Sequence, residues 1–183
     1  MPLSTALLAL CLLWLIAIAV MDLRLRKVRN WMVVLGLGLG LVALAFDRQP
    51  FGVSAGNALA GMLAAFAALL PFYALRWMGA GDVKFAAVIG LWLGLSLHLL
   101  TVWIGASLLA GAHGALVLAW RRLQATPTGQ WLQAHLPRPL ASAPQAPALF
   151  ADRSAIQRSI PYAGYMALVA IWLVLAGAAV PSP

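Results

Sequence analysis

The sequence predicts an all-α fold, a polytopic membrane protein with about six transmembrane helices. Two bulk features point there. Of 183 residues, 64% are hydrophobic and only 9% charged, where a soluble domain is nearer half apolar and a quarter charged. Mean hydropathy is +0.95. The third observation is arrangement: long apolar runs alternate with short, mostly basic segments. In hydrocarbon a backbone must satisfy its own hydrogen bonds, which such runs do as helices. The economical reading is one membrane domain over residues 1–183, with a proline-rich loop at about 121–159.

The first run, Leu3 to Met21, is long enough to cross about 30 Å of hydrocarbon. No Lys or Arg precedes it, and Arg24, Arg26, Lys27 and Arg29 follow it. A cleaved signal carries its positive charge first, so this run reads as a retained span. The second run, Trp31 to Phe46, stops at Asp47-Arg48-Gln49-Pro50, and the third, Ala55 to Leu75, is closed by Arg76. From Val83 to Trp120 the chain stays apolar. As one helix that stretch would be about 57 Å long, nearly twice the hydrocarbon thickness. Two short spans joined near Gly94 to His98 fit better. The last run covers Ile160 to Val180.

Between Arg121 and Ser159, Pro127, Pro137, Pro139, Pro144 and Pro147 argue against regular structure. The expected exception is a short interfacial helix around Thr128 to Leu136, with Trp131 at the headgroups. Ser154 to Gln157 reads as a capping box leading toward the final span. Small residues paired at helical spacing (Gly36 and Gly40, Gly56 and Ala60, Gly90 and Gly94) predict close helix packing.

Six alternating spans put Arg48 on one side and every other Lys and Arg on the other. The positive-inside rule makes the crowded side cytoplasmic, with both termini facing away from it. Asp22 and Asp82 then share the cytoplasmic side. The net charge of +8 serves topology and contact with anionic lipid rather than nucleic acid. The single cysteine, Cys11, can form no intrachain disulfide and reads as apolar filler. His98, His113 and His135 lack metal-site spacing, and no metal or other cofactor is expected.

The chain has four acidic residues. Asp47, beside Arg48, and Asp152, beside Arg153, read as ordinary solvated groups. Asp22 and Asp82 do not. A carboxylate at membrane depth is costly unless paired, hydrated or used. Asp22 lies near a helix C-terminus, where the dipole disfavours negative charge. A local ion pair with Arg24, Arg26 or Lys27 is the simple alternative, and such pairs contribute little. Asp82 follows Met78-Gly79-Ala80-Gly81 and opens a helix, so it could be merely an N-cap. Gly79 and Gly81 permit unusual backbone angles and close approach of another helix. Together, two carboxylates that cannot both ionise comfortably can activate a water molecule for peptide hydrolysis.

Three segments, in order, resemble those of type IV prepilin peptidases. Asp22-Leu23-Arg24-Leu25-Arg26-Lys27-Val28-Arg29-Asn30-Trp31 is similar to their first catalytic segment, although Val28-Arg29-Asn30 stands where Ile-Pro-Asn is usual. Gly79-Ala80-Gly81-Asp82-Val83-Lys84 resembles their Gly-Xaa-Gly-Asp signature, and Ile160-Pro161-Tyr162-Ala163 their last-span segment. The resemblance implies a six-span membrane aspartic protease with Asp22 and Asp82 as the catalytic pair. Gly79, Gly81, Lys84, Asn30 and Pro161 would support it. The implied partners are a prepilin or pseudopilin substrate, cut at the cytoplasmic face of a bacterial inner membrane, and the lipids around it.

The sequence has no N-terminal cysteine pairs. It therefore resembles the short, peptidase-only branch found with tight-adherence (Flp-type) pili, and no methyltransferase activity is expected. Two other readings compete. A small proton- or cation-coupled transporter would hold its carboxylates near the bilayer midplane among broken helices. A noncatalytic assembly subunit would be indifferent to either aspartate. Nothing in the sequence fixes an oligomeric state.

Overall fold

Each apolar run folds as helix. The computed structural model describes residues 3–46, 50–124, 126 and 161–177. Among these, six helices follow one another: α1 (Leu3–Leu25), α2 (Asn30–Ala45), α3 (Ala55–Ala74), α4 (Ala80–Leu93), α5 (Leu97–Gln124) and α6 (Tyr162–Leu175). No strand occurs among the described residues. Residues 6–25, 55–74 and 97–120 are long and apolar enough to cross a membrane. The surface agrees: Leu13, Val34, Leu63, Leu108 and Trp172 are each more than half exposed, as helices facing lipid would leave them.

The long apolar stretch does divide, but unequally. α4 has 14 residues and α5 has 28, so the second piece is not the short span expected. The break is local. Gly94 adopts φ +63°, which L side chains rarely tolerate. Asn57 of α3 then receives the freed chain, its Oδ1 accepting from the Leu95 N–H at 3.1 Å. α5 restarts three residues beyond Gly94 and runs to Gln124. The proposed interfacial helix at 128–136 and the capping box at 154–157 lie outside the described residues, as do Asp47 and Asp152.

Packing pairs α3 with α4, α1 with α6, α5 with α6, and α2 with α4. The expected small-residue contacts are partly used. Gly36 faces the Trp14 ring, Gly40 faces Leu91, and Gly90 lies against Gly61 and Ala65; Gly56 has open space around it. Two buried indoles tie helices through backbone oxygens of α2: Trp14 donates to the Met32 carbonyl at 2.8 Å and Trp92 to that of Gly36 at 3.1 Å. Trp14 also packs on Phe85, with ring centroids 5.4 Å apart. Cys11 is buried in this cluster with Ile18, Val102 and Met166, as a filler residue would be. The effect is to fix α1, α4 and α6 side by side, and each brings one of the three sequence segments to the same end.

Candidate active site

Asp22 lies within α1, in its last turn. It is 4% exposed and is the only buried charged residue among those described. The helix ends just beyond it because Arg26 turns to φ +50°, while the Arg26 N–H still donates to the Asp22 carbonyl at 2.8 Å. The Asp22 side chain points across to α6, where Oδ2 accepts from the Gly164 N–H at 2.7 Å. That bond is short for N–H···O, as expected of a carboxylate acceptor. A local ion pair is therefore not the whole account of Asp22.

Asp82 is the third residue of α4, not its N-cap. Gly79 occupies the cap position with φ −74°. One carboxyl oxygen of Asp82, Oδ2, reaches back to accept from the Gly79 N–H at 3.3 Å, half of a capping box. The other, Oδ1, accepts from the Ala163 N–H of α6 at 3.2 Å. Asp82 thus caps its own helix and bonds to a distant one at once.

Ala163 and Gly164 are neighbours, so the two carboxylates meet on consecutive amides in the first turn of α6. The start of that helix is set by Pro161, buried at its N-cap with φ −73°. The first N–H groups of a helix lack internal partners and carry partial positive charge. Here two of them are satisfied by Asp22 and Asp82. Gly164 eases the approach: a Cβ there would stand 3.1 Å from Leu23 Cγ and 3.3 Å from Asp22 Oδ2, tight enough that one of them would have to shift.

The other sequence-predicted residues join the same end. Gly79 and Gly81 take no positive φ, so the backbone freedom expected of them is not what is used. Their service is space. A Cβ on Gly81 would sit 3.3 Å from Val28 Cβ, and one on Gly79 the same distance from Asp82 Oδ2. Val28 belongs to the corner that lacks the usual proline, and this contact seats that corner on α4. Asn30 opens α2, and its Oδ1 accepts from Lys84 Nζ at 3.4 Å. Lys84 is exposed and bonds to Asn30 rather than neutralising Asp82.

All three segments quoted from the sequence are now joined by named contacts, and Asp22, Asp82, Gly79, Gly81, Asn30, Lys84 and Pro161 lie at one end of the helices. A family model for the type IV leader peptidase family matches residues 9–115, more than half of the chain and both aspartates included. The chain belongs to the type IV leader peptidase family. It is accordingly a protease, a hydrolase whose family acts on prepilin-type substrates. No curated protein and no solved structure gives a significant match.

The sequence of this leader peptidase did not reveal Gly164, and it marked Tyr162 and Ala163 only as part of the last-span segment, without a role for either. The signal available was two small residues directly after Pro161 and one aromatic, a start that lets other helices come close to bare amides. The Tyr162 hydroxyl shares a hydrogen bond of 3.1 Å with Ser107 Oγ and donates to the Trp103 carbonyl at 3.5 Å. It thereby braces the first turn of α6 against α5. Tyr165, one turn on, stacks near His113 with centroids 6.0 Å apart.

Proposed function

We propose that this leader peptidase is an aspartic endopeptidase removing the short basic leader of Flp-like prepilins or pseudopilins. It would act at the cytoplasmic face of the inner membrane, with all six helices crossing as one domain. Asp22 and Asp82 are its catalytic pair. One, protonated, polarises the scissile carbonyl. The other takes a proton from the attacking water, and the pair returns a proton to the leaving amine. No methyl transfer to the new N-terminus accompanies the cut.

The observation that carries this reading is the convergence of both carboxylates on the consecutive amides of Ala163 and Gly164. Two acids from helices far apart in sequence do not share a helix N-terminus for packing alone, because burying them is costly. Lys84 borders a groove of about 320 Å³ between α2, α3 and α4, lined by Val33, Leu37, Phe66 and Val88. Its ammonium suits an acidic group on an otherwise apolar peptide.

The decisive experiment is co-expression with a candidate prepilin, read as loss of the leader mass. Asp22→Asn and Asp82→Asn should each lower cleavage by about 10²–10⁴-fold while the protein still accumulates in the membrane. Asp47→Asn and Asp152→Asn should cleave normally. Cleavage at the wild-type rate by either dyad variant would sink the aspartic mechanism. The side is tested separately: a cysteine at position 49 should react with an impermeant thiol reagent from outside, and one at position 80 should not.

A further inference from the structure

The two carboxylates are not held alike. Asp22 makes one short bond, 2.7 Å from the Gly164 N–H, in a buried setting. Asp82 makes two longer bonds, 3.2 Å and 3.3 Å, one to each oxygen, and is half-buried. Bonds to an ionised acceptor are the shorter and stronger kind. The cation facing Asp22 is Arg26, whose charge acts on it. Arg26 holds a left-handed backbone angle, φ +50°, a conformation that ordinarily selects glycine.

We infer that Gly164 is a positioning residue that holds Asp22 as the ionised member of the pair and leaves the shared proton on Asp82. This rests on the aspartic reading above and assigns its roles. Asp22 accepts a proton of the attacking water while Asp82 gives its proton to the scissile carbonyl oxygen, leaving a gem-diol and the single proton now on Asp22. As the gem-diol collapses, Asp22 gives that proton to the leaving amine and Asp82 takes one back from a gem-diol hydroxyl, which restores the starting state. Gly164 acts through Asp22 by two means, an amide that donates and a missing Cβ that lets the oxygen reach it.

The groups that bear on Asp22 can be named element by element. α6 presents Tyr165 and, nearer Asp82, Tyr162; α4 presents Asp82 and Lys84, the latter tied to Asn30. α2 carries no titratable side chain. α1 itself carries Arg24, and Arg26 follows directly on its end. His113 of α5 is one ring further out, against Tyr165.

The test uses the full chain in detergent with a purified prepilin, measuring kcat and KM across pH. Gly164→Ala should push the carboxylate off its donor, lowering kcat about tenfold with KM nearly unchanged. The acidic limb of the rate profile should move up by about one pH unit, and the basic limb should stay. Leu23→Ala added to Gly164→Ala relieves the other contact and should not restore the limb. Arg26→Gln, at an exposed position, provides the same readout where Gly164→Ala fails to accumulate, and should move the same limb in the same direction. An acidic limb that stays in place in both variants, or one restored by Leu23→Ala, overturns the proposal. Inactive Asp22→Asn and Asp82→Asn beside an unmoved limb would remove only the role of Gly164. Wild-type cleavage by those two would remove the aspartic reading beneath it.

Discussion

Two helix contacts in this protein depend on a missing Cβ, and they put the gap to different use. Where α3 meets α4, Gly61 and Gly90 face each other backbone to backbone, and a Cβ on Gly61 would run into the Gly90 carbonyl and the backbone of Gly94. Where α1 meets α6, Gly164 admits the carboxylate of Asp22 onto its own amide. The first gap is filled by ordinary van der Waals contact. The second is filled by an ionisable group and a donor, in a place where water is largely excluded. Close approach builds a scaffold in one region and, on the reading proposed above, chemistry in the other, so damage to the two should separate into lost stability and lost rate.

The largest effect expected is at the scaffold contact. Gly61→Val must force α3 and α4 apart, and overpacking of this kind costs about 1–3 kcal/mol or more. Thermal unfolding in detergent should fall by many degrees, while the folded fraction keeps its turnover. An unaltered melting temperature would mean that the backbones are not in contact. Asn57→Ala, at the same end, removes the side-chain acceptor of the Leu95 N–H and leaves it the Asn57 backbone carbonyl at 3.3 Å, a loss of at most about 1 kcal/mol. It should lower the melting temperature by a few degrees and leave kcat alone. If kcat fell instead, the two regions would be coupled and the separation would be false.

The smallest effect belongs to Lys84, at the edge of the chemical region. Lys84→Gln should slow cleavage of a prepilin bearing an acidic residue near the cut by a few-fold, with less effect on the matching Gln substrate. The double-mutant comparison isolates the pair. Equal slowing on both substrates would reduce Lys84 to a tether for Asn30.

Unequal legibility follows the same division. Asp22 and Asp82 stood out in the sequence because charge is rare there and each sits beside an apolar run. The starts of α2 and α3 were legible from polar turns and Pro50. The donors that receive the carboxylates were not, since a backbone N–H has no letter of its own; only the small pair Ala163-Gly164 after Pro161 hinted at them. The unequal division of α4 from α5 was hidden because both sides of the break are apolar. What decides it is the φ of Gly94 and a hydrogen bond from the Leu95 N–H to Asn57, 38 residues away. Gly79 and Gly81 were singled out for backbone angle and for close approach; neither has a positive φ, and space is what they provide.

α4 and α6 pack together, and each has only 14 residues. At helical rise that is about 21 Å, against hydrocarbon about 30 Å thick. On the six-span reading proposed above, lipid beside this pair would compress, or headgroups and water would dip inward, at a modest cost for each ångström of mismatch. Both helices begin at the two carboxylates, so the dip would form where the proposed hydrolysis needs its water. Bilayers of different acyl-chain length would then hydrate the same pair to different degrees.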